Sequence, residues 1–239
     1  MIITVPARSR AIHILKLNKM KKDFLIAEKT TGQLNALDKK LGGLAVMDGI
    51  LNGKLKFEIT NQPFTPIQLF WKNLYKKYFN IEIDVSLIQE VEGKWLIFIA
   101  KGLTIQQVYD ALPFNKWKFA DGDLDKAIPV NDRVSNKDYV VYVNQNIEAD
   151  EQFKNKSAND LKQTNHTGIT FMERLLLELY YFEETGKNLD VDKMTLCDGS
   201  RFSDGGVPYV YWYDGELGGC WSGASYSSDD LRSRSVVSA

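Results

Sequence analysis

The sequence predicts an α+β protein, on three observations. Residues 209–222 hold two short runs of strict alternation joined by Asp214-Gly215, the pattern of a β-hairpin. Two stretches, Ile67 to Phe79 and Met172 to Phe182, repeat large apolar residues at helical spacing. Lys94 to Ala100 is apolar almost throughout, which suits a central strand covered on both faces.

Taken in chain order, the first elements are the least distinctive. Residues 8–22 interleave Arg and Lys with Ile12, Ile14, Leu15 and Leu17. They read as a solvated charged face or a nucleic-acid contact, and no recognition motif accompanies them. Thr31-Gly32, Gly42-Gly43 and Asn52-Gly53 punctuate the next stretch, and Lys54 to Ile59 alternates as a strand following the Asn-Gly turn. Beyond Pro63 and Pro66, the stripe Ile67, Phe70, Trp71, Leu74 and Phe79 forms a helix whose aromatics serve a core. Ile81 to Val85 and Lys94 to Ala100 read as strands, and Thr104 to Leu112 as a helix stopped before Pro113. This implies a small N-terminal α+β domain over residues 1–102, followed by a second domain over 103–239, with the interval 101–115 fitting either.

Asp121 to Asp125 offers closely spaced carboxylates, open to a calcium reading or a polar turn, but lacks the EF-hand spacing and its closing Glu. Asp138 to Asn144 reads as a strand, and 146–165 as a polar loop with one short helix. Thr170-Phe-Met-Glu173 is a capping-box pattern opening the helix with the stripe Met172, Leu175, Leu176, Leu179 and Phe182, and Gly186 supplies its left-handed cap. In the loop bracketed by Gly199 and Gly205, Arg201 and Asp204 are placed to pair, a scaffold role that Arg232 and Arg234 share.

Period-two alternation separates the hairpin into two faces. Val210, Trp212, Leu217 and Trp221 fall on one, and Tyr209, Tyr211, Tyr213, Gly218, Cys220 and Ser222 on the other. Large amphipathic Tyr among small Ser and Gly is the composition of antibody loops. It is equally that of an ordinary exposed sheet face, because Tyr is a good strand former.

The order Cys197-Asp-Gly-Ser-Arg-Phe-Ser-Asp-Gly205, Val207-Pro208, Trp212, Trp221 and Leu231-Arg-Ser-Arg234 resembles the variable proteins of diversity-generating retroelements. The resemblance reaches back to about Thr104 through Asp121-Gly-Asp-Leu-Asp-Lys, Val130-Asn-Asp-Arg, Glu148-Ala-Asp-Glu, Lys154 to Leu161 and Gly168 to Leu179. It implies a C-type-lectin-like domain of the formylglycine-generating-enzyme type, carrying the hairpin as a displayed C-terminal element. In that family a reverse transcriptase copies a template with errors at adenines, so that Asn codons become Tyr, Asp, Ser, Gly or Cys at surface positions. By resemblance, the diversified ligand-binding positions are Gly206, Tyr209, Tyr211, Tyr213, Asp214, Gly218, Cys220, Ser222, Gly223, Tyr226, Ser228 and Asp229. Gly219 departs from the family pattern, which suggests a β-branched residue there, and implies looser packing of the second strand.

Composition narrows the function classes. A formal net charge of −1 argues against a globally basic nucleic-acid binder, and His13 and His166 are isolated in sequence, so catalytic, cofactor and metal sites are expected to be absent. Cys197 and Cys220 form no disulfide framework; a bridge and two free thiols both remain open. Met1 to Pro6 is too short for a signal-peptide core, and no run approaches the roughly 18–20 apolar residues of a membrane span. Synthesis in the cytoplasm is therefore expected, with no membrane partner. The resemblance implies a non-enzymatic protein, displayed on a virion or cell surface, that binds a protein or glycan ligand. Its N-terminal domain would attach it to a phage tail or another particle. The alternatives are a fixed-sequence structural or adaptor protein of a phage particle, an enzyme of the formylglycine-generating kind, for which two Cys and two His are poor material, and a calcium-dependent lectin, whose sugar-binding signatures are absent.

Overall fold

Thr65 opens the first helix of the computed structural model, which describes residues 64–238. The segment Met1 to Pro6, the basic stretch at 8–22, the turns at 31–53 and the strand expected at 54–59 lie outside the described residues. Helix α1 (Pro66–Phe79) starts with a capping box: the Thr65 hydroxyl accepts from the Gln68 N–H, and the Gln68 side chain accepts from the Thr65 N–H. Asn80, at φ 55°, ends it in the left-handed region. Trp71, Leu74 and Tyr75 are buried, with Ile67, Phe70 and Phe79 packed beside them, so the expected stripe does face a core.

Three strands form one small antiparallel sheet in the order β1 (Lys94–Ile99), β4 (Tyr139–Asn144), β10 (Val237–Ser238). The apolar run at 94–100 was expected to be central. Among the described residues it is instead an edge strand, and β4 is the middle one. Its free side is closed by Tyr75, whose hydroxyl donates to the Phe98 carbonyl at 2.8 Å and accepts from the Ala100 N–H at 3.1 Å. An edge covered in this way supports the same apolar composition as a central strand. Ile81 to Val85 is not a strand. The chain there has no ladder partner among the described residues and is held by the Gln68 side-chain amide, which donates to the Val85 and Ile88 carbonyls at 3.2 Å.

The β1–β4 ladder runs across the boundary expected at 102–103. Leu103, Ile105, Val108 and Leu112 join the same apolar cluster as Trp71, Phe98 and Leu176, because each contributes a side chain to one continuous core. The compact unit containing the hairpin therefore begins at Phe64.

Helix α2 (Ile105–Ala111) stops ahead of Pro113 as expected, and β2 (Lys116–Lys118) follows. Two of the three aspartates at 121–125, Asp123 and Asp125, act as helix caps. Asp123 accepts from the Asp125 and Lys126 N–H groups at the start of α3 (Leu124–Ala127), and the Asp125 carboxylate accepts from the Ile105 and Gln106 N–H groups at 2.9 and 3.0 Å. Strand β3 (Val130–Asn131) pairs with β6 (Ser200–Arg201). The polar stretch beyond β4 holds a 3₁₀ turn at Glu151–Phe153 and the short helix α4 (Ala158–Gln163).

Helix α5 (Phe171–Thr185) carries the expected capping box at Thr170/Glu173 and the left-handed cap at Gly186, φ 69°. It packs against both β1 and β7. Its burial goes beyond one stripe, since Glu173, Arg174 and Glu178 are buried together with Leu175, Leu176 and Leu179. The five-stranded sheet that it supports has the order β2, β8 (Glu216–Ser222), β7 (Val207–Tyr213), β5 (Met194–Leu196), β9 (Leu231–Ser233). Arg174 pairs with Glu178 at 2.7 Å and Asp190 at 2.8 Å, and Arg234 pairs with Asp190 at 2.7 Å, all essentially without solvent. Burial works against the Asp190 carboxylate, but Arg234 and Arg174 outweigh it and hold its pKa below the usual range. Arg232 pairs with Glu151 at 2.6 Å, so both C-terminal arginines tie the tail to the body.

Candidate binding surface

Asp214 and Gly215, at φ 49° and 78°, make the tight turn joining β7 to β8, where two successive positive φ values suit the twist of the flanking strands. Register pairs Tyr209 with Cys220, Tyr211 with Gly218 and Tyr213 with Glu216 on one face, and Val210 with Gly219 and Trp212 with Leu217 on the other. The two faces expected from alternation are thus those formed. Val210 and Leu217 enter the main core; Trp212 is half-buried, its Nε1 donating to Glu178 Oε1 at 3.0 Å and its ring 5.0 Å from Phe114. Trp221 is half-buried at the sheet margin, between Phe119 and Phe202.

The packing expected at Gly219 is overturned. A Cβ at Gly219 would stand 3.1 Å from Cζ of Phe171, so the first residue of α5 fills the place of the missing side chain. The second strand is tight there because a helix ring supplies the bulk.

The tyrosine face is divided. Near the hairpin base Val207, Leu196 and Leu231 are buried under Ala158 and Leu161 of α4 in a second, smaller core, and Tyr209 packs half-buried against it. Toward the turn the face opens: Tyr211 is half-buried and Tyr213 is 75% exposed. The Tyr211 ring lies across Gly218, where a Cβ would come within 2.7 Å of Cζ. Tyr209 and Tyr211 are 5.7 Å apart, and Trp117 meets Tyr211 edge-on at 6.4 Å. Burial, then the contact with Cys220, pushes the Tyr209 hydroxyl pKa up, so it stays a neutral hydrogen-bonding group.

Of the other expected positions, Asp214, Gly223, Tyr226 and Asp229 are exposed, and Cys220, Ser222 and Ser228 half-buried. Two are not displayed. Gly218 is buried beneath Tyr211, and Gly206 is buried toward the opposite face, where a Cβ would lie 2.6 Å from the Trp221 indole. Both Cys197 and Cys220 are free thiols. Arg201 donates to the Asp198 and Ser200 carbonyls rather than pairing with Asp204, whose carboxylate accepts from the Gly206 N–H.

Sequence reading missed Trp117. Strand β2 runs parallel to β8 and sets Trp117 opposite Gly218, on the tyrosine face, 37% exposed. The signal was present in Lys116-Trp-Lys-Phe119, a short alternation of basic and aromatic residues. Among the described residues no group of three or more His, Cys, Asp or Glu could hold a metal ion, and no helix is long and apolar enough to cross a membrane. The chain matches no protein-family model, no curated protein and no solved structure.

Proposed function

We propose that this is a non-enzymatic ligand- or receptor-binding protein, displaying a retroelement-diversified surface on a C-type-lectin-like scaffold of the formylglycine-generating-enzyme type. One observation carries the proposal. Tyr211 and Tyr213 stand outward, with Trp117 beside them, on strands whose alternate residues Val210 and Leu217 are locked in the core. Side chains at the outer positions can change without altering the core, as a diversified surface requires. Rigid aromatic side chains on a supported sheet give contact area at a low ordering cost, and they would anchor a protein or glycan ligand. In this proposal the chain before Phe64 attaches the module to a phage tail or another particle.

Two experiments test it. The DNA downstream of the gene should hold a near-copy of its 3′ end, differing where that copy has adenine, beside a reverse-transcriptase gene. Absence of both would favour a fixed-sequence structural protein. Replacing Tyr211 and Tyr213 with Ala should abolish ligand capture while leaving the chain folded: the 75% exposed Tyr213 should contribute within about 0.5 kcal/mol, and the half-buried Tyr211, which covers Gly218, should account for most of any fall in the thermal midpoint. The further change Tyr209→Ala should cost more stability, because that ring covers the second core.

A further inference from the structure

The outward face of the hairpin combines exposed aromatic rings with carboxylates that lack a counter-charge among the described residues. Tyr213, 75% exposed, stands directly across the ladder from Glu216, and Trp117, 37% exposed, stands across from Gly218, two residues further along β8. Glu216 and the turn residue Asp214 are both exposed, and neither pairs with a Lys, Arg or His among the described residues. Neither hairpin strand contains a basic residue. The basic residues of the neighbouring strand are turned away. Lys116 and Lys118 alternate with Trp117 and so leave β2 on the opposite face. There the Lys116 ammonium donates to the Asp110 and Leu112 carbonyls, the Lys118 ammonium donates to the Gln106 side chain, and both lie 5.4 Å from the Tyr109 ring centroid. Lys193, next to β5, is already paired with Asp230 at 2.6 Å. Acidic residues outnumber basic ones over residues 64–238, so the wider field has the same sign as the face.

We propose that this face takes a basic protein segment, with an Arg or Lys side chain of the partner above Glu216, between Tyr213 and Trp117. The proposal rests on the reading of the hairpin as a ligand surface and names the chemistry of the ligand. Directly opposed residues of an antiparallel pair are about 5 Å apart at Cα, and a step of one strand and two residues spans about 8 Å. A cation held at Glu216 is therefore within reach of both rings, since cation–π attraction acts out to about 6 Å from a ring centroid. Rings and carboxylates favour the same sign of charge. Arg suits the place best, because its guanidinium joins a planar face that stacks on a ring to a fork of donors that fits a carboxylate. A neutral sugar stacks on such rings too, but it offers the two carboxylates no counter-charge, and an acidic sugar or a phosphate would be repelled by them.

The test titrates the ¹⁵N-labelled full chain separately with N-acetyl-Arg-Gly-Arg-amide, N-acetyl-Glu-Gly-Glu-amide and methyl glucoside into the millimolar range. The Trp117 indole N–H and the Glu216 and Gly218 amide signals are followed. The arginine peptide should give saturable shifts at all three, and its affinity should fall several-fold between about 0.05 and 0.5 M salt. Asp214→Asn/Glu216→Gln, which keeps the rings, should weaken binding about three- to tenfold. Trp117→Ala, which keeps the charge, should weaken it about two- to fivefold. Glu90→Gln/Glu92→Gln, at exposed positions ahead of β1, should leave it nearly unchanged, which separates a local site from general attraction to an acidic chain. The proposal is overturned if the arginine peptide gives no saturable shift, or if either the carboxylate pair variant or Trp117→Ala binds like the parent chain. It is also overturned if the glutamate peptide or methyl glucoside saturates these signals as readily; the ligand-surface reading then stands and only the basic partner is lost.

Discussion

At Gly219 an added side chain would meet the ring of Phe171, itself 2% exposed and unable to retreat into solvent. Gly219→Val should therefore cost about 1–3 kcal/mol, as overpacked cores do. Thermal unfolding measures it, and Phe171→Leu in the same chain should recover part of the loss. His166 gives a second residue-scale test. Its Nε2 lies 2.9 Å from Ser233 Oγ, which donates to Asp198, and its ring centroid is 4.2 Å from that of Phe153. Burial lowers its pKa and outweighs Asp198 and Asp150, which favour the charged form. A group whose folded pKa is depressed contributes stability that is complete above its unfolded pKa, about 6.5 for His, and that is lost as pH falls through the folded value. Stability measured by denaturant titration should accordingly fall on acidification below about pH 6.5. His166→Gln should flatten that limb, and an unchanged slope would assign the acid sensitivity to other groups.

At the scale of elements, α5 joins the small three-stranded sheet to the hairpin, and its first turn is where sequence chemistry is densest. The Thr170 hydroxyl accepts from the Glu173 N–H, while Glu173 accepts from the Thr170 N–H, pairs with Arg133 at 2.7 Å and accepts from Tyr139. Thr170→Ala should cost about 1–2 kcal/mol, the upper part of the range for a lost N-cap, because the site is enclosed. Chemical denaturation measures this, and a loss within error would mean that the Arg133–Glu173 pair alone holds the turn. The hairpin is fixed from the other side. Its turn residues take the positive φ values that Asp and Gly tolerate, and Trp212 reaches Glu178 beneath it.

For the whole molecule, the solvent-free cluster of Arg174, Glu178, Asp190 and Arg234 connects α5, the connection after it, the hairpin through Trp212, and the C-terminal tail. Asp190→Asn leaves two buried guanidinium groups short of a counter-charge. It should cost about 3–5 kcal/mol, the range for breaking a buried pair from one side. Unfolding by denaturant measures the loss, and a change below about 1 kcal/mol would show that water reaches the cluster.

Much of this was legible in the sequence because it is local. Helical spacing, the capping box, the Asp-Gly turn and the alternation of the hairpin depend on neighbours within a few residues, and α1, α2, α5 and the two faces of the hairpin follow from them. What depends on distant partners was decided by tertiary structure. An apolar run cannot report whether its other side meets a strand or a tyrosine hydroxyl; among the described residues β1 lies at an edge and meets Tyr75. Composition cannot report where one core ends, so the unit begins at Phe64 rather than at 103. Alternation assigns a side chain to a face but not what covers that face: α4 closes the base of the tyrosine surface, Trp117 extends it across a parallel strand, and Gly206 and Gly218 lie under aromatic rings. The period of a strand is a property of its own backbone, whereas exposure is set by whatever the rest of the chain brings against it.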